Sequence, residues 1–502
     1  MSSNSKPKWH RMSPLATVTR SLTVVYLPLV KMFFSNDEHM SFLMNVLWAL
    51  AIWAVLIVLI ILPQYWMTRY RLDDDALVFR TGVFRRHVIE INYSRIQTVQ
   101  HKQWFYMRPF GIEALTIETA AHQGNAPEVS LEAVPLRVGL AIEQRQAAWR
   151  KHGTEPVAVE DVGSAATPVE VAAVPRADAW QFELSNADLL TFTFTSMGFV
   201  PLAGSLLLVF NYLEKLPVVG DWFENLTNKM MHFQFGVQAI GLLLGVAFTL
   251  AIIAALVDFA RMLNKYWHFK LRYDDNRMHV QQGLLATNDL SAETRRIQAL
   301  SFKQNVIRQF LHKGTGNVVL ASGSDDDETS GTLTVFPYAS EQKVWAQFAK
   351  LVDWLPSQKP VIMRVTTARF AMIRNSMLAS LIIIVPALIW LRPISYISVL
   401  LLPISFGYGW FAAGARSIGM DDRHMLVSVG KSLNRSEYLF IKNRVQSLEI
   451  KQSWFMQRTR LVHIIWHIRQ GNGDEAVELR YVPVAIGDQV YEWYQGHARP
   501  KS

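Results

Sequence analysis

Cysteine is absent from the 502 residues, which excludes a disulfide framework, thiolate metal sites and a cysteine nucleophile together. Also missing are a glycine-rich phosphate loop, a nucleophile elbow and a supported pair of carboxylates. No catalytic residue, cofactor or metal site is assigned, and the chain reads as a non-enzyme. Charged residues make up only 18% against 50% hydrophobic, with a mean hydropathy of +0.13. A soluble protein of this length is seldom so apolar, so a membrane is the expected solvent for the excess. The net charge of +9 suits nucleic acid, anionic lipid or the basic excess of loops on the cytoplasmic side of a membrane. Its placement along the chain decides between these.

Apolar runs near the roughly 20 residues needed to cross a bilayer cover 43–66, 189–210, 235–257, 376–391 and 396–413. A sixth, 21–34, is shorter. It reads as a span if Lys31 snorkels outward, with an interfacial helix as the alternative. A cleaved signal peptide is disfavoured, because a second apolar run follows and no small-residue cleavage site intervenes. The six runs pair into three hairpins. Lys6, Lys8, Arg11, Arg69 and Arg71 flank the first hairpin, whereas its connection 35–40 has no Lys or Arg. Lys215 and Lys229 in the second connection are outweighed by Arg261, Lys265, Lys270 and Arg272 beyond the hairpin. A lone Arg392 in the third is outweighed by Arg364, Arg369, Arg374 and Arg416. Both termini and all intervening segments are therefore expected on the cytoplasmic side. Basic residues gather at membrane borders, which argues against a nucleic-acid partner.

Fixed spacing between unlike residues supplies the most specific signal. Arg95-Ile96-Gln97 is followed by Lys102-Gln103, Arg296-Ile297-Gln298 by Lys303-Gln304, and Arg444-Val445-Gln446 by Lys451-Gln452. An Asp and a Gly recur upstream with equal spacing: Asp73 and Gly82, Asp274 and Gly283, Asp421 and Gly430. A proline follows downstream in each copy, Pro135, Pro337 and Pro483. The unit is roughly 80 to 90 residues, the size of a small domain. Ile89, Ile91 and Tyr93 alternate with Val88, Glu90 and Asn92, as do Val462, Ile464, Trp466 and Ile468 with His463, Ile465, His467 and Arg469. Those are half-buried strands. Helical periodicity follows each proline, over 138–151, 341–355 and 486–497, bringing Trp149, Trp345, Trp354 and Trp493 to cap a small core.

The expected borders are a hairpin at 1–66, a module at 67–152, a linker at 153–180, a hairpin at 181–262, a module at 263–358, a hairpin at 359–415 and a module at 416–502. Within the linker, 155–178 is rich in Ala, Val, Pro and acid without period, so it reads as flexible. The acidic run 324–328 reads as a loop tip.

Two membrane helices followed by a strand-rich module with a terminal helix resemble the bacterial pleckstrin-homology-like membrane proteins of the YdbS/YdbT type. Three such units, including the opening Arg11-Met12-Ser13-Pro14-Leu15 and the repeated Arg-[Ile/Val]-Gln and Lys-Gln cores, resemble the longer three-module members. The resemblance implies an α+β membrane protein. Six transmembrane helices in three hairpins would each precede a cytoplasmic pleckstrin-homology-like antiparallel β-sandwich or barrel with a C-terminal helix. It also implies a bacterial cytoplasmic (inner) membrane location and a shorter one-module companion protein. The second copy departs by having Asn305-Val306 where the others have Trp104-Phe105 and Trp454-Phe455.

The candidate residues are Arg95, Gln97, Lys102, Gln103, Arg296, Gln298, Lys303, Gln304, Arg444, Gln446, Lys451 and Gln452. Two readings stand for them. Basic side chains beside an anionic leaflet gain on the order of 1 kcal/mol each, and Arg offers a fork for phosphate; alternatively the spacing is inherited with the fold and the side chains satisfy internal acceptors. His463 and His467 lie on a strand and lack the glutamate of a zinc helix, so they read as a solvent-face pair. Asp73-Asp74-Asp75, Asp274-Asp275 and Asp421-Asp422 read as turn residues. Gly241 and Gly245 have small-xxx-small spacing for helix packing. The leading expectation is a non-enzymatic membrane scaffold or adaptor binding lipid headgroups or a smaller family partner, with oligomeric state unassigned. The alternative is a machine moving an apolar, lipid-like or amphipathic toxic compound. Ion-coupled transport is disfavoured because five of the six runs contain no ionisable residue.

Overall fold

The computed structural model describes residues 8–24, 42–83, 85–119, 129–152, 180–196, 237–274, 276–321, 331–390, 398–431, 433–471 and 473–496. Residues 153–179 of the linker, the acidic run at 324–328 and most of 21–34 lie outside them. The chain forms two compact units.

In the first unit, β1 (His10–Arg11) precedes α1 (Leu15–Val24), and an apolar helix runs as α2 (Phe42–Leu56), a π turn (Ile57–Ile61) and α3 (Leu62–Met67). The π turn directly precedes Pro63, which lacks an N–H, so the helix widens where its bonding is interrupted. Trp53 Nε1 donates to the carbonyl of Ser21 at 3.1 Å, tying α2 to α1. Strands β2 (Arg69–Leu72), β3 (Ala76–Thr81) and β4 (His87–Asn92) complete an antiparallel sheet in the order β1-β2-β3-β4. Then come β5 (Ile96–Trp104), β6 (Ile112–Thr119), β7 (Val129–Pro135) and α4 (Leu136–His152). Leu77, Phe79 and Ile91 of the first sheet meet Val99, Leu115, Ile117 and Leu131 of the second, and Ile142 of α4 closes the core with Trp149 packed beside it. Met12 and Ala16 enter the same core. Ser13 donates to the Ala133 carbonyl at 2.8 Å and Arg20 pairs with Glu132, so the segment around Pro14 anchors α1 to the module.

The sheet does not stop at the expected module border. The outer edge of β5 pairs with β11 (Ala286–Glu293), which continues through β10 (Arg277–Gln282) and β9 (Lys270–Asp274) to β8 (Trp180–Glu183). Seven strands run in the order β7-β6-β5-β11-β10-β9-β8. Three of these strands, β5 to β7, belong to the first repeat and three, β9 to β11, to the second. Strand pairing removes the exposed edge that each half would otherwise present.

The second unit repeats the device. It contains α5 (Asn186–Phe194), most of the 30-residue α6 (Val237–Tyr266), β12 (Ile297–Asn305), α7 (Val306–Phe310), β13 (Lys313–Leu320), β14 (Thr332–Ser340) and α8 (Glu341–Leu351). Next are β15 (Ile362–Arg364), α9 (Ala368–Trp390), α10 (Leu401–Gly414), β16 (Ser417–Met420), β17 (His424–Lys431) and β18 (Asn434–Ile441). Here β12 of the second repeat pairs with β18 of the third, giving the order β14-β13-β12-β18-β17-β16-β15. The chain ends in β19 (Val445–Lys451), α11 (Trp454–Arg458), β20 (Leu461–Gln470), β21 (Gly473–Pro483) and α12 (Val484–Gln495), with the sheet order β19-β20-β21. Val462, Ile464, Trp466 and Ile468 are buried as the alternation predicts, packed with Phe440, Leu479 and Val490. The helix expected at 341–355 stops at Leu351, and Pro337 lies inside β14 rather than at its end.

Two stretches, Leu47–Met67 and Arg369–Ile389, are helical, long and apolar enough to cross a bilayer, and a third apolar helix, Ser398–Gly414, is shorter. Only 6% and 11% of the two long stretches is buried; a soluble core helix would bury most of its surface, so these call for lipid. Six spans were expected; among the described residues two meet the criterion, and most of the run 21–34 and the end of 189–210 lie outside them. α9 and α10 pack closely where Gly409 meets Ile373: a Cβ there would lie 2.7 Å from the Ile373 Cα. Ser376 Oγ also donates to the Ser405 carbonyl at 2.8 Å.

The glycines upstream of the motif divide. Gly82 and Gly283 have φ of 110° and 115°, and a Cβ would meet a backbone carbonyl at 1.9 Å, so both are turn glycines. Gly430 instead sits within β17 against α10, and the nearby turn has Leu433 in the left-handed region. The aspartates behave as turn residues: Asp73 and Asp421 donate their N–H to the carbonyls of Ala76 and His424, and Asp421 Oδ1 accepts from the N–H of Arg423 and His424.

Candidate functional site

The three repeated motifs occupy one local geometry. Arg95, Arg296 and Arg444 each end a one-turn 3-10 helix, and the following Ile96, Ile297 and Val445 are buried. The pairing register then shifts between Ile96 and Thr98, Ile297 and Ala299, and Val445 and Ser447, making Gln97, Gln298 and Gln446 the bulge positions. Gln298 Nε2 donates back to the Arg296 carbonyl at 2.9 Å, the Gln446 carbonyl accepts from Tyr494 at 3.3 Å, and the side chain of Gln97 lies outside the description. The second glutamine makes one bond in every copy: Nε2 of Gln103, Gln304 and Gln452 donates to the carbonyls of Ile112, Lys313 and Leu461 at 3.1, 2.9 and 3.0 Å. That bond spans the corner between the motif strand and the next.

The basic members differ. Arg95 is exposed. Arg444 Nη2 donates to the Arg295 carbonyl at 3.0 Å. Lys102 and Lys303 lie over the rings of Trp104 and Tyr438, at 5.3 and 5.9 Å, and Lys451 pairs with Glu449 at 3.0 Å. These basic side chains thus meet different neighbours from repeat to repeat.

What the corners expose is apolar. In the first copy Phe105 and Phe110 are exposed, beside Leu284 and Leu285 of the β10–β11 turn. Phe105 donates its N–H to the Leu285 carbonyl at 2.7 Å, and Arg108 Nη2 donates to the Leu284 carbonyl and Thr287 Oγ1, both at 2.7 Å. In the second, Ile307, Phe310 and Leu311 are exposed on and just after α7. In the third, Trp454 and Phe455 are, with the Arg458 guanidinium 4.0 Å above the Trp454 ring. Each corner closes on a left-handed residue at the same repeat position: Gly111, His312 and Arg460, with φ of 60°, 52° and 52°.

Two corners sit where an apolar helix departs. Tyr106 shares a 3.2 Å hydrogen bond with Thr19 of α1. The buried Arg308 reaches the C-terminal end of α5, donating to the Phe192 carbonyl at 2.9 Å and to Thr195 Oγ1 at 3.0 Å, with its guanidinium 4.2 Å from the Phe192 ring. The cation thus meets the helix's unpaired carbonyls and its negative dipole end.

Three bacterial PH domain matches cover residues 22–148, 220–351 and 375–498, one for each repeat of the motif and corner. The chain belongs to the bacterial PH domain family. It is also 24% identical over 505 residues to the UPF0699 transmembrane protein YdbT of Bacillus subtilis (strain 168), covering 98% of each chain. No solved structure gives a significant match. This bacterial PH domain protein is a membrane protein in which the family's domain occurs three times.

Sequence reasoning did not foresee the charged cluster on the first joint. His101 on β5 contacts Glu113 of β6 at 3.0 Å through Nδ1 and Glu143 of α4 at 3.4 Å through Nε2. Burial lowers its basicity, but the two carboxylates outweigh that and raise its pKa to about 10. Burial raises Glu113, with His101 opposing. Burial also pushes Glu143 up, but His101, His279 and Arg277 more than reverse it and leave it low. Asp289, paired with His101 across the joint, is raised by burial. These groups are spent on one another. Among the described residues no group of His, Cys, Asp and Glu is arranged to hold a metal. A groove of about 980 Å³ in the second unit mixes Asp353, Asp421 and Asp422 with Arg423 and Lys442, so its charge suits no single ligand sign.

Proposed function

We propose that the protein is a non-enzymatic, multi-pass inner-membrane scaffold with six spans, its PH-like domains on the cytoplasmic side. Its corners, rather than the Arg-[Ile/Val]-Gln residues, rest on the leaflet. The carrying observation is the recurrence of exposed apolar side chains at the same corner of every domain, even where the local sequence diverges. Aromatic and aliphatic side chains flanked by Arg and Lys suit the headgroup boundary of an anionic membrane. Each nearby basic residue adds on the order of 1 kcal/mol there. The link from Arg308 to α5 and from Tyr106 to Thr19 supports the orientation, since both helices lead into runs expected to span. Three corners on one chain engage the surface together, so weak individual contacts sum to a fixed posture. Lipids, or a shorter one-module relative that competes for the corners, are the ligands this reading supplies.

The absence of cysteine makes the test direct. Single variants F105C, F310C and F455C, with D474C as the control, are spin-labelled and reconstituted in nanodiscs containing anionic lipid. Greater accessibility to oxygen than to a water-soluble nickel reagent at the three corners, and the reverse at the control, is the expected result. Corners as water-accessible as the control would defeat the reading.

A further inference from the structure

Among the described residues, two strands of the kinds that join repeats are left at sheet edges. Strand β4 is terminal in its sheet and β19 is terminal in its own. They are one of each kind: β4 is the first-repeat counterpart of β11 and β18, and β19 is the third-repeat counterpart of β5 and β12. Inside the chain these two kinds of strand pair with each other, twice, in the same register. Relative to the motif arginines, His101 opposite Asp289 and Phe302 opposite Glu437 are the same step of the ladder. The equivalent step between the free edges sets Ile450 opposite Val88, with Lys451 opposite His87.

We infer that β4 and β19 are the two halves of a third joint, made between copies of this chain. Val88 is 61% exposed and Ile450 37%, whereas Phe302 and Glu437, at that step of a formed joint, are 1% and 3% exposed. Apolar side chains standing in water at the step that the other joints bury form the cross-strand pair that stabilises a sheet. Each edge carries one carboxylate, Glu90 on β4 and Glu449 on β19, but the other defences of a free edge are not specific to these strands. Lys451 guards nothing, because Lys102 and Lys303 hold the same position in strands that are paired. The bulge at the start of β19 is present in β5 and β12 as well. A second copy is the occupant because each chain carries one edge of each kind, so one copy's β19 receives the next copy's β4. Such a contact is head-to-tail, so each added copy leaves one edge of each kind open and assembly grows with concentration unless a ring closes.

The test uses the full chain in detergent micelles. Light scattering after gel filtration is expected to give a mass that rises with protein concentration. V88K blocks one edge and I450K the other, each raising the apparent dissociation constant roughly tenfold or more, as burying an unpaired charge does. Mixing the two variants leaves one good edge on each and gives a 1:1 dimer that grows no further. Independently, in the cysteine-free background, V88C protein mixed with I450C protein under a mild oxidant is expected to yield the mixed disulfide. A wild-type mass that stays monomeric at all concentrations, variants that assemble like wild type, or V88C-to-V88C products in place of the mixed one would each overturn the inference.

Discussion

The two internal joints share a backbone register and little else. At the β5–β11 joint, His101, Glu113, Glu143 and Asp289 form a buried titratable set in which the carboxylates raise His101 and burial raises Glu113 and Asp289. At the β12–β18 joint the step equivalent to His101 and Asp289 holds Phe302 opposite Glu437, and further along Leu300 stands opposite Leu439 and Ala299 opposite Phe440, all buried. Glu437, opposite Phe302, is paired with Arg435 and lies 3.9 Å from Lys359. Continuity of the sheet is therefore a property of the backbone edge, and each joint fills its faces with whatever chemistry closes the core. One joint is held by charge and responds to pH. The other is held mainly by apolar burial, with Glu437, raised by burial, as its titratable group.

Phe302→Ala is the largest expected break, costing about 3–5 kcal/mol because a fully buried ring leaves a cavity. Chemical unfolding in micelles should show the same loss at pH 6 and pH 9. His101→Gln costs roughly 3 kcal/mol by leaving two buried carboxylates without their cation, and here the loss depends on pH. A histidine raised from 6.5 to about 10 in the folded state contributes stability that is fully present below 6.5 and disappears as pH rises through 10. The difference between wild type and H101Q, followed by unfolding midpoints, should shrink steadily from pH 6 to pH 10. Gln304→Ala removes the corner bond at a buried site and costs about 1 kcal/mol; Gln452→Ala, at an exposed corner, costs about half that. The smallest effect is a gain. Arg460→Gly relieves a left-handed residue and raises stability by about 0.5–1 kcal/mol, while Gly111→Ala lowers it by a similar amount, both measurable as melting shifts.

The repeat was legible because its spacing is tied to backbone features: the arginine ends a 3-10 turn, the first glutamine marks a bulge and the second spans a corner. The strand faces were equally plain, since Val462, Ile464, Trp466 and Ile468 alternate with polar neighbours and are buried as that implies. The joints were not legible. Periodicity says which face of a strand is buried but not which strand lies along its edge. Asn305-Val306 concealed the second corner, because its exposed apolar residues come after that pair, Ile307 at once and Phe310 and Leu311 about a helical turn on; their spacing in a short run was the available signal. His101, Glu113 and Glu143 meet only when β5, β6 and α4 pack together, and Asp289 joins them only once β11 lies along β5.

The central claim, that sheets run unbroken from one repeat into the next, is tested most directly by amide hydrogen exchange on the full chain in micelles below its assembly concentration. Amides along β5, β11, β12 and β18 should be protected as strongly as those of β6 and β13, while β4 and β19 exchange faster. Rapid exchange along β5 and β11, or along β12 and β18, at the rate of β4 and β19 would contradict it.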